Sequence, residues 1–390
     1  MPRAGPVRGC GRGRGRRGNG VTAPRFDLVT LGRVGVDLYP EQVGVGLAEV
    51  RTFAKYLGGS ATNVAVAAAR HGLRSAVTTG VGDDPLGGFV RAALRGFGVD
   101  DRFVVTVPGA QTPVVLCEIF PPDDFPLYFY RPDAPDMRIR ADDLDAEALR
   151  AARVVWVTGS GLSADPSRTA TLAAIADRPR DEAGNDTVFD LDWRPMFWSR
   201  PEDAPAWYAR ALAHATVAVG NRDEVEVAVG TRDPDEAADR LLARGLRLAV
   251  VKQGPHGVLA RTPSEEVRLP PMPVDVVNGL GAGDAFGGAL VSGLVAGLPL
   301  ARTLELANAA GALVAARHSC ADAMPTTGEL DEFIRTGVAP PEAPADRSVP
   351  AAPVPANPAF AAPVPAAPVP APSADIPAAA ASRTDNGGSR

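Results

Sequence analysis

The sequence predicts an α/β domain: a mostly parallel sheet covered by helices on both faces, with a small separate β-sheet as a lid. Three features of the chain carry that expectation. Apolar strand-like runs such as "RVVWVTG", "TVFDLDW", "TVAVGN" and "RLAVVKQG" are each separated by a helix-like stretch, the pattern of repeated strand–helix units. Between Val104 and Arg131 the pattern changes to short strands, "VVTV", "PVVLCEIF" and "LYFYR", with "PPDD" as a hairpin turn. Twice, a glycine-rich segment leads directly into a helix-like run.

In chain order, residues 1–24 hold six arginines among glycines and no acid, a head expected to stay disordered. "FDLVTLGRV" (26–34) reads as a buried strand, and "SATNVAVAAARHG" (60–72) as a helix stopped by Gly72. "SAVTTGVG" is the next strand, followed by the helix "PLGGFVRAALRGFG", closed by Gly98. The lid strands are expected mainly within 38–56 and 104–131. Strands and helices alternate again after Arg140, and the stretch from Asp284 to His318 reads as two helices joined by "GLP". The folded domain is thus 25–337, roughly 310 residues, enough for one large α/β domain. Residues 338–390 are nearly all alanine, proline and valine and are expected to form a disordered tail.

Composition excludes several classes. The net charge is −6, and setting the six head arginines aside takes the remainder to about −12, which argues against nucleic acid as the main partner. Cys10, Cys117 and Cys320 are scattered, and His71, His214, His256 and His318 lack ligand spacing, so neither a disulfide framework nor a zinc site is expected. The cysteine usage fits a reducing cytoplasm. No apolar stretch of about 18 residues is present to span a membrane.

The Walker pattern is absent. The single GxGxxG, Gly13 to Gly18, has no strand before it and is discounted. "NGLGAGDAFGGAL" (278–290) is a better anion site. Gly281, Ala282 and Gly283 leave their backbone N–H groups accessible at the start of an apolar helix, whose dipole favours negative charge. Asp284, in the first turn, fits either a helix cap or a base that takes a proton from a substrate hydroxyl. In "GGSATN" (58–63), Gly58 and Gly59 lead into a helix bearing Asn63, with Asp37 beyond the first strand. A carboxylate and an amide held near glycine backbone suit polyol hydroxyls, although close helix packing explains the glycines equally.

Together the two segments resemble the signatures of the PfkB-type, ribokinase-like carbohydrate kinases: "GGSATNVAVAAARHG" is similar to the first and "GAGDAFGGAL" to the second. "VGDDPLGGFVRAALRGFGVD" is similar to the stretch between them, and the likeness runs from about Phe26 to Arg335. The resemblance implies a Rossmann-like domain with a β-sheet lid, ATP with Mg²⁺, and phosphorylation of a sugar hydroxyl. It implies Asp284 as general base, Gly281, Ala282 and Gly283 as the anion hole, and Asp37, Gly58, Gly59 and Asn63 around the sugar. Asn221 and Glu224 in "NRDE" match an element that organises metal (Glu224 through water) and phosphate; a polar helix start is the plain alternative. Lys252, Gly254 and Gly257 in "KQGPHG" match the nucleotide lining, and Asn308 a position near adenine. Many members have Asp-Thr where this chain has Asn278-Gly279, which makes activation by a monovalent cation doubtful.

Within that family, "TFAKYLGGSATN", "FDLDWRPMFW" and "LYFYRPDAPDMRI" resemble the 5-dehydro-2-deoxygluconokinases of myo-inositol catabolism, a group with Asp where many relatives carry Asn at Asp192. Lys55, Arg131 and Arg194 are then candidate substrate contacts, each also readable as a surface or internal ion pair. Sugar and ATP are the expected partners, with a homodimer through the lid conceivable. The rival activities are phosphorylation of 2-keto-3-deoxygluconate, fructose, ribose or a nucleoside, and, more remotely, a non-catalytic sugar- or nucleotide-binding regulator.

Overall fold

The computed structural model describes residues 25–180 and 184–342; the Arg/Gly-rich head and the chain beyond 342 lie outside the described residues. β1 (Leu28–Leu31) runs into β2 (Gly35–Pro40) and β3 (Phe53–Gly58), then α1 (Ser60–Arg70), β4 (Ser75–Gly82), α2 (Pro85–Gly96) and β5 (Val104–Val107). The pair β6 (Val114–Cys117) and β7 (Leu127–Tyr130) precedes α3 (Ala146–Ala151), β8 (Val154–Thr158), α4 (Ser167–Ala176), β9 (Asp186–Asp190) and α5 (Ala204–Leu212). Next come β10 (Val217–Asn221), α6 (Arg222–Val229), α7 (Pro234–Leu242), β11 (Leu248–Lys252), β12 (Val258–Arg261) and β13 (Glu266–Leu269). Helices α8 (Ala282–Ala296), α9 (Leu300–Ala315) and α10 (Thr327–Thr336) complete the domain.

Nine strands form the main sheet in the order β13-β12-β11-β10-β9-β8-β1-β4-β5. Neighbours from β11 to β5 are all parallel, and β12 and β13 turn back antiparallel. Along β8, Val154 and Trp156 face one apolar core while Val155 and Val157 face the other, so helices cover both faces. The lid is a separate four-stranded sheet, β3-β2-β6-β7.

One strand expectation needs correction, and one hairpin is new. "VVTV" is not a lid strand: β5 closes the main sheet, with Val104 opposite Thr79 and Val107 opposite Gly82. A short, partly buried four-residue run looks alike at a sheet edge and in a lid, and only tertiary pairing separates them. The β12–β13 hairpin was not foreseen, because edge strand β13 is half polar.

The chain switches sides between β1 and β8: β4 and β5 extend the sheet one way, β8 to β11 the other. Such a reversal opens a crevice beyond the carboxyl ends of the strands. Arg33 after β1, Ser160 after β8 and Asp192 after β9 all emerge there. Helices α1 and α8 approach closely across it because α8 carries glycine at the contact. A Cβ on Gly288 would stand 2.3 Å from the Ala67 Cβ, and one on Gly287 2.7 Å from the Trp156 ring.

Contacts with the domain continue past Gly337, into the segment expected to be tail. Residues 338–342 are described, and the Glu342 carboxylate accepts from Ser319 Oγ at 2.8 Å and from the His318 amide at 3.2 Å. Arg317 also donates to the Pro340 carbonyl at 3.5 Å. Ending the chain after Glu342 is expected to leave thermal stability unchanged. Ending it after Gly337 removes all three bonds and Glu342→Ala the two to its carboxylate, a loss of about 1–2 kcal/mol, or about 2–4 °C of melting temperature in a chain of this size. Equal melting of both truncations would show that the tail root holds nothing.

Candidate active site

Helix α8 begins at Gly281, whose φ of 81° is left-handed. Its missing side chain matters as much, since a Cβ there would lie 2.7 Å from Cys320 Sγ. The first-turn N–H groups of Ala282 and Gly283 therefore point outward without intrahelical partners, at the positive end of an apolar helix. Asp284 does not cap this helix, contrary to one of its two readings; α8 has no side-chain cap. Its carboxylate turns instead to α1, accepting from Asn63 Nδ2 at 2.9 Å and Ser60 Oγ at 3.1 Å. Burial raises its pKa against the pull of these donors, so the group binds protons more readily than an ordinary aspartate.

A pocket opens between this helix start and the inner face of the lid. Asp37, Gly59, Asn63, Arg131, Arg194 and Asp284 all line it. The glycines make room: a Cβ on Gly58 would sit 2.0 Å from the Asp37 carboxylate, and one on Gly59 (φ 103°) 2.4 Å from the Arg33 carbonyl. Among the described residues, the hydrogen bond that Asp37 accepts is a long one from Tyr39, at 3.4 Å. Its burial pushes its pKa up to about 7, although Arg33 opposes the shift. Asn63 Oδ1 is buried without a partner. A carboxylate and an amide oxygen short of donors, side by side, fit a ligand rich in hydroxyls.

Lys55 does not join them. It lies on the outer face of β3, paired across from Leu38, with its ammonium 4.0 Å from the centroid of the Phe89 ring. A one-residue offset in a strand is enough to put a side chain on the wrong face.

Of the residues expected on the nucleotide side, Asn221, Glu224, Lys252, Gly254 and Gly257 lie at or just past the ends of β10 and β11. Asn221 and Glu224 form a reciprocal capping box on α6: Asn221 Oδ1 accepts from the amides of Asp223 and Glu224, and Glu224 accepts from the Asn221 amide at 2.6 Å. The plain reading of "NRDE" is thus present, and it fixes the Glu224 carboxylate at the crevice. Burial opposes the Lys252 charge, but Glu224, Asp190 and Asp284 outweigh it and raise its pKa. Lys252 Nζ is 3.3 Å from where a Cβ on Gly283 would stand, beside the anion-hole loop. Gly254 opens onto free space, whereas Gly257 is demanded by the fold, since a Cβ would meet the Leu269 carbonyl at 2.0 Å. Asn308 donates to the Pro270 carbonyl at 2.8 Å. The Asn278 amide is consumed within its own loop: Nδ2 donates to the His318 carbonyl at 2.8 Å and Oδ1 accepts from the Leu280 amide at 3.0 Å.

Sequence reasoning missed Arg33, Ser160, Asp190 and Phe197. Arg33 donates to both Asp192 oxygens, at 3.0 and 3.1 Å, and to Ser160 Oγ at 3.1 Å. Asp190 is buried, which raises its pKa well above normal; Lys252 opposes this, while Asp192, Glu224 and Asp284 add to it. Arg33, Ser160 and Phe197 follow strands β1, β8 and β9, and Asp190 is the last residue of β9, so position at strand ends was a usable signal. Among the described residues, no three acidic, histidine or cysteine side chains stand close enough to chelate a metal directly. The surplus of carboxylates around Lys252 nevertheless fits a cation held through water.

Asp37 yields a stability prediction. Its pKa is higher in the folded chain, about 7, than its usual 3.8, so the folded state binds more protons between those values and loses stability as pH rises through that window. Asp37→Asn is therefore expected to stabilise the fold at pH 8, by at most about 4 kcal/mol, read as a higher melting temperature, and to have no such effect near pH 4. A variant less stable than the parent at pH 8 would refute the strained-acid account.

The comparisons with known proteins agree with this geometry. The family described as pfkB family carbohydrate kinase matches residues 25–327. The 5-dehydro-2-deoxygluconokinase of Geobacillus kaustophilus is 31% identical over 315 residues, covering 79% of this chain and 93% of its own. The enzyme of the same name from Shouchella clausii is 32% identical, with 80% and 96% covered. Among solved structures, a Vibrio cholerae fructokinase with fructose, ADP and potassium ion bound is 29% identical with a TM-score of 0.70, covering 80% of this chain and all of its own. An Escherichia coli protein described as a putative ribokinase II has a TM-score of 0.73 at 23% identity, covers 80% of this chain and 99% of its own, and shares the fold. The family match over most of the chain, together with relatives above 30% identity along nearly their whole length, establishes that the chain belongs to the pfkB family of carbohydrate kinases.

Proposed function

We propose that this kinase transfers the γ-phosphoryl group of ATP to the 6-hydroxyl of 5-dehydro-2-deoxy-D-gluconate, a step of myo-inositol breakdown. The observation that carries the chemistry is the Asp284 carboxylate, fixed by Asn63 and Ser60 at the start of the anion-hole helix and open to the pocket. The relatives named 5-dehydro-2-deoxygluconokinase support the substrate.

In this reading Asp37 and Asn63 accept from substrate hydroxyls and hold the reacting one toward Asp284. Its oxygen forms a bond to the γ-phosphorus as the bond to the β-bridging oxygen breaks. The hydroxyl proton passes to Asp284, and ADP leaves. The Ala282 and Gly283 amides face the charge on the transferring group, with Lys252 beside them. Asn221 and Glu224 stand where Mg²⁺ would be held through water, and the ion would neutralise phosphate charge. Asn308, Gly254 and Gly257 flank the nucleotide.

A coupled ADP-release assay over a panel of sugars and keto acids tests the proposal. Activity on 5-dehydro-2-deoxy-D-gluconate is expected to exceed that on 2-keto-3-deoxygluconate, fructose, ribose and nucleosides; preference for any of these overturns the substrate. Asp284→Asn should lower kcat by about 10³-fold while ADP still raises the melting temperature. Near-normal turnover in that variant would leave the base assignment untenable. Because the Asn278 amide already ties its loop to His318, turnover should be equal in potassium and in choline buffers. A tenfold stimulation by potassium would contradict this.

A further inference from the structure

The pocket is lined by two chemically different sets of side chains. Asp37, Asn63 and Asp284 present acceptors, whereas Arg33 and Arg131 present donors only. Both guanidinium groups lie over the same ring, Phe197, at 5.6 and 4.6 Å from its centroid.

Each is anchored by its own acid. Asp136 takes Arg131 Nη2 at 2.8 Å, and the two side chains are only 2% and 10% exposed. Asp192 takes Arg33 through both oxygens and is itself fixed by Ser160 Oγ at 2.6 Å. Arg33 and Arg194 keep Asp192 ionised despite its burial. The anchor is stiff, for Asp192 holds a left-handed φ of 25° that a non-glycine residue adopts only where its surroundings enforce it.

The anchors have a chemical consequence. An untethered arginine here would fold onto Asp37 or Asp284 and cancel the acceptors. Among the described residues, hydrogen bonds from Arg33 leave from Nε and Nη2, so its Nη1 donors stay unspent in a pocket it lines while the residue itself is 8% exposed. Asp192 already balances the Arg33 charge, so what the ligand must satisfy is the Nη1 donors, and a carboxylate oxygen accepts from a guanidinium more strongly than a neutral hydroxyl does.

We propose that Arg33, held by Asp192 and Ser160 and facing Phe197 with Arg131, forms a carboxylate subsite that selects a sugar acid over a neutral sugar. This rests on the kinase reading above and adds the residue that discriminates. The substrate then lies with its carboxylate at Arg33 and Arg131 and its reacting hydroxyl at Asp284. Arg194, the third arginine of the pocket, pairs with Asp192 at 3.4 Å.

The test compares kcat/KM for 5-dehydro-2-deoxy-D-gluconate with that for the same ketose bearing a primary alcohol in place of the carboxylate. In the parent enzyme the acid should be preferred. In Arg33→Met the acid-to-neutral ratio should fall by about 30-fold, mainly through KM, with Arg33→Lys intermediate. Added guanidinium ion should restore part of the acid activity alone. If Asp192 left unpaired prevents folding, Arg33→Met combined with Asp192→Asn removes both charges and is read by the same ratio. An unchanged ratio, with both substrates falling together, would make Arg33 a structural residue and overturn the subsite while the substrate proposal stands. A parent enzyme active on the neutral ketose and inactive on the acid overturns the subsite and the proposed substrate together.

Discussion

The meeting of two helix starts governs this site. Asp284 on α8 reaches Asn63 and Ser60 on α1 only because the helices approach through Gly287 and Gly288, where side chains would strike Trp156 and Ala67. The second signature thus contains two devices. Its first glycine frees the anion-hole backbone against Cys320, and its later pair sets the helix separation that aims the carboxylate. Close packing and catalysis share one short segment, because a base must be held within hydrogen-bond reach of its proton donor.

Charge around the pocket is handled by pairing at the arginines and by isolation at the acceptors. Asp192 and Asp136 are matched to arginines, and their burial holds those arginines in place. Asp37 has little such help and carries the cost of desolvation as a raised proton affinity. An acid left short of donors destabilises the empty enzyme, and substrate hydroxyls can relieve it. That is the usual exchange of stability for binding at a functional site. Around Lys252, Asp190, Glu224 and Asp284 form a similar negative surplus on the nucleotide side.

The Asn221–Glu224 pair shows that a structural and a functional reading need not compete. The capping box satisfies the start of α6 and in doing so fixes a carboxylate at the crevice. Glu342 works comparably from outside the domain core: bonded to Ser319 and His318, it braces the loop whose Cys320 lies against Gly281.

Most of the strand–helix order was legible in the sequence, because buried parallel strands and helix starts leave strong local patterns. Asp284, Asn63, Asp37 and the glycines beside them were legible for the same reason: their chemistry needs glycine nearby, and glycine runs stand out. Other features carried no local mark. Val104–Val107 could pair with either sheet, and Lys55 could point to either face of its strand. Glu342 was hidden in a proline- and alanine-rich run. Arg33 was an ordinary arginine until the fold set it against Asp192, 159 positions away. The sequence by itself determined the fold class and set Asp284 in the first turn of a glycine-bounded helix, since these depend on backbone conformation and short-range spacing. Only the tertiary structure decided which arginines face the ligand and which acids anchor them, because a buried ion pair is set by the convergence of strand ends far apart in the chain.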